Sequence, residues 1–213
     1  MQSDLLQKLG NKELTKKQLY QQVEENFGLL PELVEGTSSS KASVRYGCGS
    51  VLMDLSAKYP QKLYPYMDDF VGLLDSKYRI LTWNAMAIIA NLTSVDADRK
   101  FDSVFDKYYG FVNNEYMVTV ANVVGNSAKI ANAKPYLAQK ITAELLKVED
   151  LALTPHLTGE CKRVIAESAI RTFNAYFDLI ADKKQVLAFA RKHQNSSRAT
   201  LKKEAQNFLK KRS

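Results

Sequence analysis

The chain has 213 residues, of which 46% are hydrophobic and 25% charged, and its 30 Lys and Arg against 23 Asp and Glu give a formal net charge of +7. This composition is globular, and it excludes the collagen-like, disordered and disulfide-scaffold classes. With 9 Gly and 5 Pro the chain is poor in the residues that separate short strands, which argues against sandwiches and barrels. The length favours one domain over residues 1–213, although two domains also fit.

The surplus positive charge lies at one end of the chain. Residues 186–213 hold eight basic residues and one acidic residue, so eight minus one accounts for the whole +7. The rest of the chain is balanced, which predicts a neutral body with a basic end. The basic residues of this tail are Arg191, Lys192, Arg198, Lys202, Lys203, Lys210, Lys211 and Arg212.

Apolar residues recur at spacings of three and four along most of the chain, and alternation with period two is nowhere sustained, so we predict an all-α fold. Residues 1–14 are expected to be a flexible or short helical lead. Thr15 with Gln18 three residues later is a capping-box pattern that predicts the start of a helix. In chain order, helices are expected at about 15–27, 29–36, 44–58, 63–74, 78–92, 101–111, 116–130, 135–148, 161–180, 186–193 and 198–211.

The predicted helices fall into similar pairs. The segment 51–55 aligns with 88–92 and with 123–127, which gives a repeat of about 35 to 37 residues, the spacing of stacked helix pairs. A fourth unit near 164–170 follows a longer step, so we expect an insertion at 151–160. Each pair joins an aromatic-rich outer helix to an inner helix with small residues, which let helix axes approach closely.

The segment VRYGCGSVLMDL (44–55) resembles the second helix of a HEAT unit, with a Val-Arg start, small residues in mid-helix and a closing Leu. The segment SSRATLKKEAQNFLKK (196–211) is a looser version of the same pattern. Similarity to the HEAT-repeat superfamily, which includes armadillo-like proteins, implies a right-handed α-α superhelix of about five to six stacked helix pairs. In such a solenoid, residues 186–213 would be the basic capping helices at the carboxyl end.

The sequence shows no catalytic arrangement. His156 and His193 lack a partner at metal-ligand spacing and are expected to be solvent-exposed, so neither a metal nor a cofactor is predicted. Cys48 and Cys161 each lie in an apolar helical pattern, which predicts buried free thiols. These observations favour a protein that is not an enzyme.

The amino-terminal sequence lacks the layout of a signal peptide, and no apolar run is long enough to span a bilayer. We therefore expect a cytoplasmic protein that does not bind membranes.

The inner helices of a solenoid line a concave face, which is where such proteins bind partners. Amides and basic side chains at these positions would suit a protein partner or a nucleic-acid backbone; alternatively, the asparagines bridge neighbouring repeats. Trp83 is expected in the core rather than in the groove. The predicted partner-binding residues are Arg45, Asn84, Asn91, Asn122, Asn126, Lys129, Lys162, Arg163, Arg171 and Asn174.

Two functions follow from these features. The preferred one is a non-catalytic scaffold that binds a protein on its concave face. The alternative is nucleic-acid binding, because the chain resembles the HEAT-like alkylpurine DNA glycosylases in size, helix content and basic character. Ala87 and Ala90 stand where the resemblance would require a catalytic aspartate after Trp83, which implies binding without their chemistry. The basic tail residues that would contact phosphate are Arg198, Lys202, Lys203, Lys210, Lys211 and Arg212.

Overall fold

A computed structural model describes residues 4–212, and in that range it confirms the all-α prediction. Apart from one isolated antiparallel bridge between Thr154 and Leu157, the described residues form no β-structure. The α-helices are α1 (Asp4–Gly10), α2 (Lys16–Glu25), α3 (Leu30–Gly36), α4 (Ala42–Lys58), α5 (Pro60–Leu63), α6 (Met67–Leu73), α7 (Arg79–Leu92), α8 (Lys100–Gly110), α9 (Met117–Ala133), α10 (Ala138–Leu146), α11 (Gly159–Ala175), α12 (Lys183–His193) and α13 (Ala199–Arg212).

Local sequence signals set several helix boundaries. Thr15 accepts a hydrogen bond from the backbone N–H of Gln18, and the Gln18 side chain accepts one from the Thr15 N–H, so the predicted capping box is formed. Thr158 accepts from the N–H of Cys161 and starts α11 in the same way. Both pairs satisfy backbone donors that have no partner within the helix.

Three predicted helices are shorter than expected because 3-10 turns interrupt them. The helix predicted over 63–74 is divided by the turn Tyr64–Tyr66, which contains Pro65. The turn Pro135–Leu137 precedes α10, and α11 ends at Ala175 before the turn Phe177–Leu179. Proline lacks a backbone donor and cannot continue an α-helical hydrogen-bond ladder, which explains the first two corrections.

The chain divides into two compact units, the first ending at Asp102 and the second beginning at Ser103. In the first unit α4 packs against α1, α2, α3 and α7, and α6 packs against α7. The core of this unit is formed by fully buried side chains from these helices. They include Leu19, Leu33, Val44, Leu52, Leu55, Phe70, Met86 and Ile88.

Contacts between α4 and α7 reproduce the predicted repeat. The Asn91 amide donates to the Ser56 hydroxyl at 2.9 Å, and these residues are 35 positions apart. Seven residues earlier, a Cβ added at Gly49 would lie 2.8 Å from the side chains of Leu81 and Asn84. The two helices therefore run side by side one repeat apart, and Gly49 permits their close approach.

The second unit stacks three helices in the order α9, α11, α13, with α10 and α12 packed beside them. Hydrogen bonds between α11 and α13 join residues 33 positions apart at Arg171 and Glu204 and 38 positions apart at Asn174 and Arg212. Between α9 and α11 the Thr172 hydroxyl donates to the Val124 carbonyl, a separation of 48 residues. This longer step contains the insertion predicted at 151–160, of which residues 151–158 form a loop and the last two begin α11.

Candidate partner-binding faces

In the first unit, α4 and α7 leave one side of their surface open, and it is mostly apolar. On α7 this side carries the exposed Ile80, with 43% of its surface accessible, and the half-buried Trp83 and Ala87 one and two turns later. On α4 the matching half-buried residues are Tyr46 and Met53. The spacings of three, four and seven place each set on one side of its helix. We call these residues, together with Ser50 and Asn91, the α4–α7 face.

Arg45 was predicted to contact a partner, but it is only 5% exposed. Its guanidinium donates to the Ser39 and Ser40 carbonyls at 2.7 and 3.1 Å, and it lies 3.6 Å from the ring centroid of Tyr78. Carbonyl acceptors and a stacked aromatic ring favour burial of the guanidinium, while its buried Nε has no hydrogen-bond partner among the described residues. Arg45 therefore ties the loop before α4 to the start of α7 instead of facing outward.

Two of the asparagines predicted for the site lie on α7. Asn84 is 9% exposed and packs close to Gly49, while Asn91 is half-buried and donates to Ser56. Asn91 thus follows the alternative interpretation, in which these amides bridge neighbouring repeats. Trp83 is half-buried at the α4–α7 face, so its placement in the core was wrong.

In the second unit, α9 presents three predicted residues. The Asn122 amide donates to the Val118 carbonyl, and the Asn126 amide donates to the Asn122 carbonyl, each one turn earlier in the same helix. Lys129 is exposed on the same helix, and desolvation lowers the pKa of its ammonium. Val118, at 42% exposure, adds an apolar group at the start of this row.

The polar residues predicted on α11 form hydrogen bonds or ion pairs within the protein. Arg171 donates to Glu167 and Glu204, and Asn174 accepts from Arg212 at 3.1 Å. Arg163 pairs with Glu160 at 2.7 Å. The remaining residue, Lys162, donates to the carbonyls of Glu149 and Leu151 and so fixes the start of the inserted loop.

Glu167 is the centre of this ionic cluster. Its side chain is 8% exposed and accepts from Arg171, from Arg198 at 2.9 Å and from the Thr200 hydroxyl at 2.6 Å. Burial acts to raise the pKa of Glu167, but the hydrogen bonds from Thr200 and Arg198 outweigh it and hold the pKa below its usual value. The cluster joins α11 to α13 through a buried carboxylate.

The basic tail divides into engaged and unengaged side chains. Lys192 pairs with Glu149, Arg198 with Glu160 and Glu167, and Arg212 with Asp178. On α13 the side chains of Lys202, Lys203, Lys210 and Lys211 form no ion pair with any described residue, and the first two and last two lie near opposite ends of the helix. Part of the tail charge is therefore matched by acidic residues of the body, which composition alone did not indicate.

One histidine and one cysteine differ from the burial predicted for them. His156 is exposed and stacks on Tyr116, with ring centroids 4.6 Å apart, whereas His193 is half-buried beside Phe189 and Glu149. Burial lowers the pKa of His193, and Glu149 opposes that effect. Cys48 is buried as expected, but Cys161 is half-buried because it lies in the exposed first turn of α11.

A pocket that the sequence analysis missed lies in the first unit, between the α1–α2 loop and α4. Its volume is about 380 Å³, and its walls are mainly apolar. Tyr46 of the α4–α7 face lines it, so the pocket continues that face. The lining residues are Leu9, Lys12, Leu14, Thr15, Lys16, Ala42, Ser43, Tyr46 and Gly47.

Within residues 4–212, no group of three or more His, Cys, Asp and Glu side chains could hold a metal ion. No helix in that range is both long enough and apolar enough to cross a bilayer.

Comparison with known proteins identifies the architecture. A designed armadillo repeat protein is 20% identical, with 96% of this chain aligned to 90% of that chain at a TM-score of 0.60. A second designed armadillo repeat protein, solved in complex with the peptide (KR)4, is 18% identical over 96% of this chain and 90% of its own, also at 0.60. An engineered protein of 16% identity aligns over 97% and 86% of the two chains at a TM-score of 0.51.

No family model matches the sequence. No curated protein matches it either. The structural likeness confirms that the chain is an armadillo- or HEAT-like helical repeat solenoid, as the resemblance in 44–55 indicated.

Proposed function

We propose that this protein is a non-catalytic repeat scaffold and that a peptide segment of a protein partner binds on the α4–α7 face. The observation that carries the proposal is the row of the exposed Ile80 and the half-buried Trp83 on α7, with the half-buried Tyr46 and Met53 on the same side of α4. Large apolar side chains left in contact with water on adjacent helices are characteristic of interaction surfaces, and aromatic residues commonly supply the anchors.

The structural neighbours support a peptide as the ligand. One designed armadillo repeat protein of similar fold is in complex with a peptide, so the architecture can accommodate a peptide ligand. That peptide is basic, and the residues of the α4–α7 face are uncharged. The apolar and aromatic character of this face instead supports a ligand with large apolar side chains.

A displayed library of random 12-residue peptides, selected on the full chain, tests the proposal. We expect peptides rich in apolar residues to be enriched, and we expect Ile80→Glu to weaken their binding at least tenfold because it places a charge within the apolar contact. Leu153→Glu is the matched control, since Leu153 is also exposed, at 67%, but lies in the inserted loop of the second unit. Enrichment that is unaffected by Ile80→Glu would contradict the proposal.

The basic end supports a second candidate function, nucleic-acid binding. Lys202, Lys203, Lys210 and Lys211 lie on one helix without ion-pair partners among the described residues, so their charge is available to phosphate. Labelled duplex DNA titrated at two salt concentrations tests it. Binding should fall steeply with salt and be lost when all four lysines are changed to Gln, whereas absence of binding at low salt would reject this candidate.

A further inference from the structure

The pocket between the α1–α2 loop and α4 combines an apolar interior with a positively charged rim. Leu9, Leu14 and Gly47 are buried at its base, and Ala42 and Tyr46 form the wall on α4. Its volume of about 380 Å³ is large enough for one bulky apolar side chain. The rim carries Lys12 and Lys16, both exposed and without an ion-pair partner among residues 4–212.

Both rim lysines occupy positions that disfavour them. Lys12 has φ of 65°, the left-handed conformation, in the turn that ends α1, where Gly or Asn is preferred. Lys16 is the first residue of α2, and the first turn of that helix has no acidic residue to balance it. A cation there is repelled by the positive end of the helix dipole. Each lysine lowers the stability of the fold, and both line the same pocket. Unfavourable residues that occur together in this way indicate that their charge serves binding.

The charge around the rim is net positive. The one carboxylate in the loop, Glu13, accepts a hydrogen bond from the neutral Asn11 amide and keeps its own charge, so it offsets one of the nearby cations. Lys41 adds a further cation on the α4 side, where its ammonium donates to the Asn11 side-chain oxygen at 3.0 Å. The rim is therefore complementary to negative charge, while the interior is complementary to an apolar group.

We infer that this pocket binds an acidic segment of the partner that inserts one large apolar side chain, with its carboxylates over Lys12 and Lys16. The inference rests on the proposed function and deepens it, because Tyr46 belongs both to the pocket and to the α4–α7 face. The pocket would hold one end of the bound segment and would select for segments with negative charge there.

The probe is a fluorescein-labelled 12-residue peptide in which one phenylalanine has two aspartates on each side and the remainder is Gly and Ser. Binding to the full chain is measured by fluorescence anisotropy, and the position of the contact by amide chemical shifts. We expect the Gly47 amide to shift and the affinity to fall at least tenfold when the phenylalanine is replaced by alanine or the aspartates by lysines. Equal binding of the lysine peptide, or shifts confined to other regions, would overturn the inference.

Variants of the rim separate binding from folding. Lys12→Gly and Lys16→Glu should each weaken the peptide two- to fivefold, the range for exposed charge pairs, while raising Tm by about 2 °C because both relieve an unfavourable placement. Lys17→Glu makes the same charge change one position further, at a residue that does not line the pocket, and should leave peptide affinity nearly unchanged. Unchanged affinity in Lys12→Gly and Lys16→Glu would contradict the inference.

Two measurements keep this inference distinct from the proposed function and from other occupants. Ile80→Glu should weaken binding of the library-selected peptides at least tenfold but leave the acidic peptide bound. If the acidic peptide fails to bind while the library peptides still require Ile80, only the pocket inference falls. Sedimentation velocity of the unliganded chain tests a second copy as occupant. A concentration-dependent dimer that is lost in Lys16→Glu would overturn the inference in favour of self-association.

Discussion

Arg198, which immediately precedes α13, donates to Glu167 on α11 at 2.9 Å, and the Glu167 side chain is 8% exposed. The same carboxylate accepts from Thr200 and Arg171, so one buried acid holds residues from two helices of the second unit. Loss of Arg198 would leave this carboxylate with fewer donors in a desolvated position. The last helix is therefore attached by a buried ionic contact as well as by its apolar face.

The first prediction concerns this attachment. Arg198→Ala should lower the free energy of unfolding, because the buried Glu167 carboxylate loses a charge-assisted hydrogen bond and keeps its desolvation penalty. Urea denaturation followed by circular dichroism measures the change. Lys203→Ala is the control, since Lys203 lies on the outer side of α13 without an ion-pair partner among the described residues, and it should change stability by less than about 0.5 kcal/mol. Equal losses in the two variants would contradict the assignment.

The second prediction is the pH dependence of that contact. The pKa of Glu167 is lowered in the folded protein, so its contribution to stability is complete above the unfolded value of about 4.3 and is lost as pH falls through the lower folded value. Glu167→Gln removes this titration. Its unfolding free energy should therefore be lower than that of the wild type at pH 7, and the difference should shrink as pH falls below about 4. A constant difference across this range would argue against an ionised Glu167.

The third prediction tests the close approach of α4 and α7. Gly49→Ala should destabilise the protein by about 1–3 kcal/mol, because the new Cβ would lie 2.8 Å from the side chains of Leu81 and Asn84, which are themselves buried. Gly72→Ala is a matched substitution within α6, where a Cβ would meet nothing within 4 Å. There the higher helix propensity of alanine should raise stability by about 0.5–1 kcal/mol. Thermal denaturation of both variants shows whether the opposite signs hold.

The fourth prediction assigns a bridging role to Asn91. A double-mutant cycle of Asn91→Ala and Ser56→Ala should give a coupling energy of about 1 kcal/mol, the net value of one hydrogen bond between repeats. The control pairs Asn91→Ala with Ser94→Ala, whose hydroxyl bonds to the backbone of its own helix turn. A coupling near zero for Asn91 and Ser56 would contradict the bridging role of Asn91.

The fifth prediction concerns the two thiols. Burial raises the pKa of Cys48 to about 12, so it should not react with dithionitrobenzoate at pH 8 while the protein is folded. Cys161, half-buried in the first turn of α11, should react. We therefore expect one thiol per chain in the native state and two in 6 M urea, and Cys161→Ser should abolish the native signal. Rapid modification of Cys48 in the folded chain would contradict its burial.

The architecture could be predicted from the sequence because it depends on local patterns. The spacing of apolar residues gave the helices, and their repetition gave the stacking that the Ser56–Asn91 contact confirms. The sequence analysis placed the prolines at 65 and 135 at helix starts but predicted their effect wrongly. Each lies in a 3-10 turn instead of in the first turn of a continuous helix.

The candidate sites could be predicted only in part. The burial of Arg45 depends in part on Tyr78, and that of Glu167 on Arg198 and Thr200, all of them distant in sequence, so local patterns alone do not predict it. The α4–α7 face could have been found from helical spacing, because Ile80 and Trp83 lie on the same side of α7 as the predicted Asn91. Selecting polar residues for a binding surface caused the apolar ones to be overlooked. The pocket was missed because it requires two helices and a loop to meet in space.

The burial of Arg45 changes how sequence variation in related proteins should be interpreted. Because this guanidinium holds the loop carbonyls of residues 39 and 40 and the ring of Tyr78, selection at position 45 acts on the integrity of the repeat. Homologues that keep an arginine there would share the architecture and nothing more specific. Divergence of ligand preference should instead occur at positions 12, 16 and 80, where the side chains are exposed.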